Sequence, residues 1–134
     1  MTIGKLAKEA GVGVETVRFY ERKGLIKRPA KAPGSGFRHY EADEARRIRF
    51  IKRAQELGFT LREVKDLLAL NNAPRATCGD VRKRTEAKSA EIEAKIKDLR
   101  RMLKKLNELC EACDCGKQAV SECRVIDCFE GRCV

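Results

Sequence analysis

None of the 134 residues is tryptophan, 5% are aromatic and one is histidine, whereas 37% carry charge. Large apolar side chains are so few that any single core must be modest, and some helices are expected to bury surface against a partner chain. The one histidine, His39, has no cysteine within its predicted domain. The paired nucleophile and imidazole that a catalytic reading would want are therefore missing, and the chain is not expected to be an enzyme. No apolar run reaches the roughly 18 residues that a bilayer span requires, and Met1 leads directly into a polar, periodic segment, so neither a signal peptide nor a membrane anchor is expected. No cysteine precedes Cys78. The seven from Cys78 onward are an odd number, which fits poorly with a complete set of intrachain disulfides. In a cytoplasmic protein, clustered thiols point to metal or redox chemistry.

Charge is what the sequence has in excess. The formal net charge is +10, with +7 in residues 1–71 and +3 in residues 72–134. A polyanionic partner such as double-stranded DNA is the functional expectation, with the N-terminal half as its contact region.

Thr2 can cap a short helix with Ile3, Leu6, Ala7 and Ala10 on one face, Gly11 ends it, and a second helix runs from about Val14 to Lys23 before Gly24. Two short helices around a glycine-bearing turn make a helix-turn-helix. The stretch from Lys27 to Tyr40 places Pro29, Pro33, Gly34 and Gly36 among basic and aromatic residues, the pattern of a short β-hairpin or wing. A third helix, about Asp43 to Leu57, points Ala45, Ile48, Ile51 and Ala54 inward and leaves Arg46, Arg47, Arg49, Lys52 and Arg53 outside as a solvated basic face. Thr60 and Glu63 have the form of a capping box opening a fourth helix to about Leu70. Asn71 to Pro74 breaks the pattern. The expected organisation is a winged helix-turn-helix domain over 1–71, a linker and dimerisation helix over 72–112, and a cysteine-rich metal-binding loop and tail over 113–134. The expected fold class is all-α with a small β wing.

From a cap at Thr77, with Asp80 at the third helical position, one helix is predicted to continue to about Cys113. Ile92, Ile96, Leu99, Leu103, Leu106, Cys110 and Cys113 follow steps of four and three, the seam of a two-stranded coiled coil, which predicts a homodimer. Cys78 and Cys113 are 35 residues apart, five whole heptads, so they share a seam position at opposite ends of one helix. Within one chain they cannot meet. In an antiparallel pair, Cys78 of one protomer would lie beside Cys113 of the other. Cys78 also occupies the first helical turn, where backbone N–H groups and the positive end of the dipole suit an anionic sulfur ligand. Cys113 and Cys123 can close a loop that supplies two more sulfurs. Three thiolates without a nearby histidine suit a soft divalent ion as effector, Hg(II), Cd(II) or Pb(II), with Zn(II) if a fourth ligand joins, and Cys115 is an additional candidate. Cys110 reads as a small buried hydrophobe, and Cys128 and Cys133 as auxiliary ligands or idle tail thiols. A second reading stays open: Cys110, Cys113, Cys115 and Cys123 of one chain are enough thiolates for a [2Fe–2S] redox sensor, though it leaves Cys78 unexplained.

Thr2-Ile3-Gly4-Lys5-Leu6-Ala7, the run from Gly11 to Ile26 with Val14-Glu15-Thr16-Val17-Arg18-Phe19-Tyr20 at its centre, and Arg38-His39-Tyr40 strongly resemble the MerR family, over residues 2 to about 123. The central run is most similar to its mercury-responsive branch. The resemblance implies a winged helix-turn-helix domain, an antiparallel dimerisation helix, and activation by untwisting a promoter whose two recognition elements are spaced too far apart for RNA polymerase. It also implies DNA contacts from Thr16, Arg18 and Tyr20 in the second helix and from Arg38 and Tyr40 in the wing. Arg can read a guanine edge or neutralise phosphate, and a tyrosine hydroxyl can bind phosphate. Phe19 reads as a packing residue, and Tyr20 could do either job. Cys78, Cys113 and Cys123 match the ligands of the mercury regulators. The loop from Cys113 to Cys123 is one residue longer than the mercury type and resembles that of the zinc-responsive branch, which leaves the metal open between them.

Overall fold

The computed structural model describes residues 1–134 except Ser35, Asp114, Cys115, Gln118, Cys133, Val134 and the side chain of Arg132. The described residues are mostly helical and fall into two compact units, Met1–Thr85 and Glu86–Val134.

The N-terminal unit is built from α1 (Ile3–Ala10), α2 (Val14–Arg22), α3 (Asp43–Glu56) and α4 (Leu61–Asn71), and it runs on into the first turns of α5 (Cys78–Ala112). Local chemistry sets these boundaries. Thr2 Oγ1 accepts from the Lys5 backbone N–H, and Gly11, at φ 72°, turns the chain out of α1 while its N–H returns to the Ala7 and Lys8 carbonyls. A side chain at Gly11 would be strained, because left-handed backbone puts Cβ against the following carbonyl. Thr60 and Glu63 form the expected capping box: the Thr60 hydroxyl accepts from Glu63 N–H, and the Glu63 carboxylate accepts from Thr60 N–H at 2.8 Å.

The inward faces of these helices meet in one core. Leu6, Val17, Ile48, Ile51 and Val64 are fully buried, with Tyr20, Leu25, Ile26 and Tyr40 nearly so, and Phe19, Phe50 and Phe59 pack around them. The basic face of α3 is not wholly solvated. Arg49 donates to the Glu9 carbonyl and Lys52 to the Gly11 carbonyl, each at 3.2 Å. Both cations thus sit at the C-terminal end of α1, where carbonyls lack helical partners and the dipole is negative.

The segment expected to be a hairpin is barely a sheet. Among the described residues its ladder is one antiparallel bridge, Lys31 with Arg38, beside a 2.8 Å bond from Ala32 N–H to the Phe37 carbonyl. Two prolines and two glycines in this short stretch leave few residues able to extend the ladder.

In α5, Asp80 accepts from the Thr77 backbone N–H at 2.9 Å, so the expected cap opens the helix, and Cys78 is its first residue. Thirty-five residues at 1.5 Å each give roughly 50 Å of helix. Ile92, Ile96, Leu99, Leu103 and Leu106 are exposed along it. The C-terminal unit continues with a 3-10 turn, Val120–Glu122, a single helical turn α6 (Arg124–Asp127), and a π-type turn over Cys128–Arg132 broken at Gly131. No helix among the described residues is long and apolar enough to cross a membrane.

Ile48→Ala should lower the unfolding free energy of the protein by about 2–5 kcal/mol, and Thr60→Ala by about 1 kcal/mol. Urea titrations followed by circular dichroism would read both, and equal midpoints for wild type and Ile48→Ala would contradict the core described here.

Candidate functional site

Three of the five residues expected at DNA, Arg18, Arg38 and Tyr40, line one recess of the N-terminal unit. This recess, about 440 Å³, is lined by Thr2, Ile3, Arg18, Glu21, Arg22, Arg28, Gly36, Phe37, Arg38 and Tyr40. Thr16 is half-buried near the start of α2, and Tyr20 is buried under the same helix. Arg18 is exposed and its guanidinium sits 3.3 Å from Glu15. Arg38 is half-buried, and its Nε is buried without a hydrogen-bond partner. A buried N–H left unpaired is costly, and Arg38 Nε carries that cost in this structure. Four arginines around one concavity concentrate positive potential where a phosphate would sit.

The two tyrosines are placed differently from what a direct phosphate contact needs. The Tyr20 hydroxyl donates to Gln55 Oε1 at 2.9 Å, and the Tyr40 hydroxyl donates to Glu21 Oε1 at 2.6 Å. Each has one proton to give, and each has given it to the protein. In this conformation both rings therefore act as packing residues that tie α2 to α3 and to the end of the wing segment. Sequence reasoning passed over Glu21, whose side chain is only 7% exposed and also lies 3.8 Å from Arg28. The available signal was an acidic residue standing alone between Arg18 and Lys31, where nearly every other charge is positive.

Burial and then the charge of Glu56 push the Tyr20 phenol up. Burial, the hydrogen bond to Glu21 and the charge of Glu21 push Tyr40 up to about 12, with Arg38 and Arg28 acting against them.

The second cluster lies in the C-terminal unit. Cys113 and Cys123 are free thiols, both half-buried, and both line a recess of about 210 Å³ with Ala112, Gly116, Val120, Glu122 and Arg124. Cys123 also stands at the N-cap of α6, its carbonyl accepting from Asp127 N–H at 3.1 Å. Cys78 is free and exposed and belongs to the other unit. Among the described residues no three His, Cys, Asp or Glu side chains come together as a metal site. Cys110 is exposed in the single chain, as is the apolar stripe of α5 to which it belongs. Cys128 is disulfide-bonded, which withdraws it from the free thiols. Cys115 and Cys133 lie outside the described residues. His39 is exposed.

The helix-turn-helix and the long helix that follows each match a family model: "MerR HTH family regulatory protein" over residues 1–70 and "MerR, DNA binding" over residues 45–109. The chain belongs to the MerR family. It is a transcriptional regulator rather than an enzyme. A mercuric resistance operon regulatory protein of Shigella flexneri is 44% identical over 131 residues, covering 98% of this chain and 88% of that protein. Among solved structures, a transcription regulator from Ralstonia metallidurans in complex with lead(II) is 36% identical with a TM-score of 0.85, covering 96% of this chain and 98% of that one. A dual function MerR regulator from Bacillus megaterium in complex with mercury(II) is 39% identical with a TM-score of 0.70, covering 97% and 99%.

Because folding holds the Tyr40 phenol neutral, its contribution to stability is full below the ordinary phenol value of 10 and is lost as pH rises through about 12. The chain has two tyrosines, both shifted upward, so a spectrophotometric titration of the folded protein should show less tyrosinate at pH 10 than free tyrosine gives. A midpoint at the ordinary phenol value would contradict the buried, hydrogen-bonded geometry.

Proposed function

We propose that this regulator binds promoter DNA as a homodimer and responds to a soft divalent metal ion, Hg(II) first, through thiols contributed by both protomers. The observation that carries the reading is the pair of free thiols, Cys113 and Cys123, facing one recess just beyond a helix whose first residue is a third free thiol, Cys78. Two sulfurs in one chain leave a three-coordinate soft ion one ligand short. An antiparallel partner supplies it, because five heptads bring Cys78 of one chain beside Cys113 of the other. The exposed stripe Ile92, Ile96, Leu99, Leu103 and Leu106 is the surface such a partner would cover. The donor set suits the ion, since thiolates favour Hg(II), Cd(II) and Pb(II) over hard cations and accept Zn(II) when a fourth ligand such as Cys115 is added. The mercuric and lead(II) relatives support the same chemical class.

On this reading residues 1–71 bind DNA, 72–112 dimerise, and 113–134 hold the ion. Thr16 and Arg18 on α2 face the major groove, and Arg38, with Arg28 beside it, holds backbone phosphate in the recess. Tyr40 and Tyr20 keep α2 and the wing in register, and either would reach phosphate only by giving up its present acceptor. The bound ion would supply a cross-link between Cys78 of one protomer and the Cys113–Cys123 loop of the other. The chain's own part is to couple that closure to the pair of DNA-binding units, so that the promoter is held in a distorted form productive for RNA polymerase. Metal can shift this balance only by its preference for the closed conformer, since equal affinity for both would move nothing.

Cys78→Ser should abolish metal-induced transcription while leaving operator affinity within about twofold, and a full response in this variant would sink the proposal. Mixed dimers give a sharper test. Joining a Cys78→Ser chain to a Cys113→Ser chain leaves one complete site, so the mixed dimer should bind one Hg(II) per dimer with thiolate charge-transfer absorption, while either homodimer loses both sites. Equal loss in the mixed dimer would show that each site is built within one chain.

A further inference from the structure

We propose that Phe37 is a DNA contact in its own right, an apolar wedge entering the minor groove beside phosphates held by the arginine-lined recess. This inference rests on the reading of the N-terminal unit as a promoter-binding module. Every other described aromatic of that unit is buried or packed against the core, whereas Phe37 is 68% exposed. Its position is not that of a loose tip. The Phe37 carbonyl accepts from Ala32 N–H at 2.8 Å, the next residue pairs with Lys31, and Gly36 takes a left-handed φ of 71° that turns the chain into this register. The ring is therefore held outward by its backbone.

Its surroundings select the occupant. Phe37 shares the recess with Arg18, Arg28 and Arg38, and Arg38 Nε is buried without a partner. Four guanidinium groups, those of Arg18, Arg22, Arg28 and Arg38, line this recess against one carboxylate, Glu21, and that excess of positive charge beside the ring suits a polyanion better than an apolar protein surface. A DNA duplex satisfies both demands. Its phosphates answer the arginines, and the sugar walls and base faces of the minor groove are its dry surfaces, where wedge side chains such as Phe partly unstack a base step and kink the helix. An apolar wedge beside phosphate clamps would also set the direction of promoter distortion, because the kink opens away from the groove it enters.

The test uses the whole protein and a duplex selected by the wild type from a random-sequence pool, with 2-aminopurine placed in turn at each step. Anisotropy titrations over a range of salt would compare wild type, Phe37→Ala, Phe37→Leu and Arg28→Ala. Phe37→Ala should bind about tenfold more weakly with an unchanged slope of log affinity against log salt, since a lost apolar contact releases no fewer counterions. It should also lose the 2-aminopurine fluorescence rise at the wing-facing step, and Phe37→Leu should recover most of both effects. Arg28→Ala should lower the slope by about one and keep the fluorescence rise. Wild-type affinity in Phe37→Ala, an unaltered fluorescence rise, or a loss accompanied by a smaller slope would each overturn the wedge. Failure of the wild type to select any duplex would instead strike the DNA-binding reading itself and take the wedge with it. The ring's exposure means that Phe37→Ala should fold as the wild type does, which circular dichroism would verify.

Discussion

A helix that runs unbroken from Cys78 to Ala112 keeps its two ends roughly 50 Å apart, and the rest of the molecule's chemistry is arranged around that separation. Sharp helix kinks come from proline, from glycine pairs or from bulges, and this helix contains no proline and a single glycine, Gly79, in its first turn. A free thiol at the start and two beyond the end make sense as one ligand set only if distance along one chain is converted into proximity between two. The sensing role proposed for the cysteines follows from helix rigidity as much as from sulfur chemistry.

The N-terminal unit solves a different problem, that of holding several like charges around one concavity. Glu21 is the answer. Its nearly buried carboxylate accepts the Tyr40 hydroxyl and lies close to Arg28, so the same negative charge that would be expensive alone is compensated on two sides. Tyr20 makes the matching link from α2 to Gln55 on α3. With both phenols committed inward, the outward positions on this face fall to guanidinium groups and to Phe37, which is why charge and exposed aromatic surface coincide there.

Features governed by neighbours in sequence were legible in advance. Thr2, Gly11, Thr60 with Glu63, and Thr77 with Asp80 all cap or close helices where short-range spacing places them, and Leu6, Ala7, Ala10, Ala45, Ile48, Ile51 and Ala54 are buried as their periodicity requires. The family was legible too, through Thr2 to Ala7, the run from Gly11 to Ile26, and Arg38 to Tyr40. Long-range pairing was not. Nothing local distinguishes a tyrosine that offers its proton to phosphate from one that gives it to a residue 35 positions away, as Tyr20 does to Gln55. Nor does composition show that a proline- and glycine-rich hairpin will reduce, among the described residues, to one bridge. Cys113 and Cys123, with nine residues between them, line one recess, while their partner thiol, under the proposed pairing, belongs to a second copy and so lies beyond what one chain's folding can display.

The exposed stripe on α5 bears on the cell as well as on the molecule. Leu99 and Leu103, each about 60% exposed, are satisfied under the proposed pairing only by another chain, so assembly obeys mass action and the folded sensor gains stability with its own concentration. Abundance then becomes part of the calibration. A cell making few copies would hold a larger share of chains without a complete thiol set, and its threshold for the ion would rise even though no residue had changed.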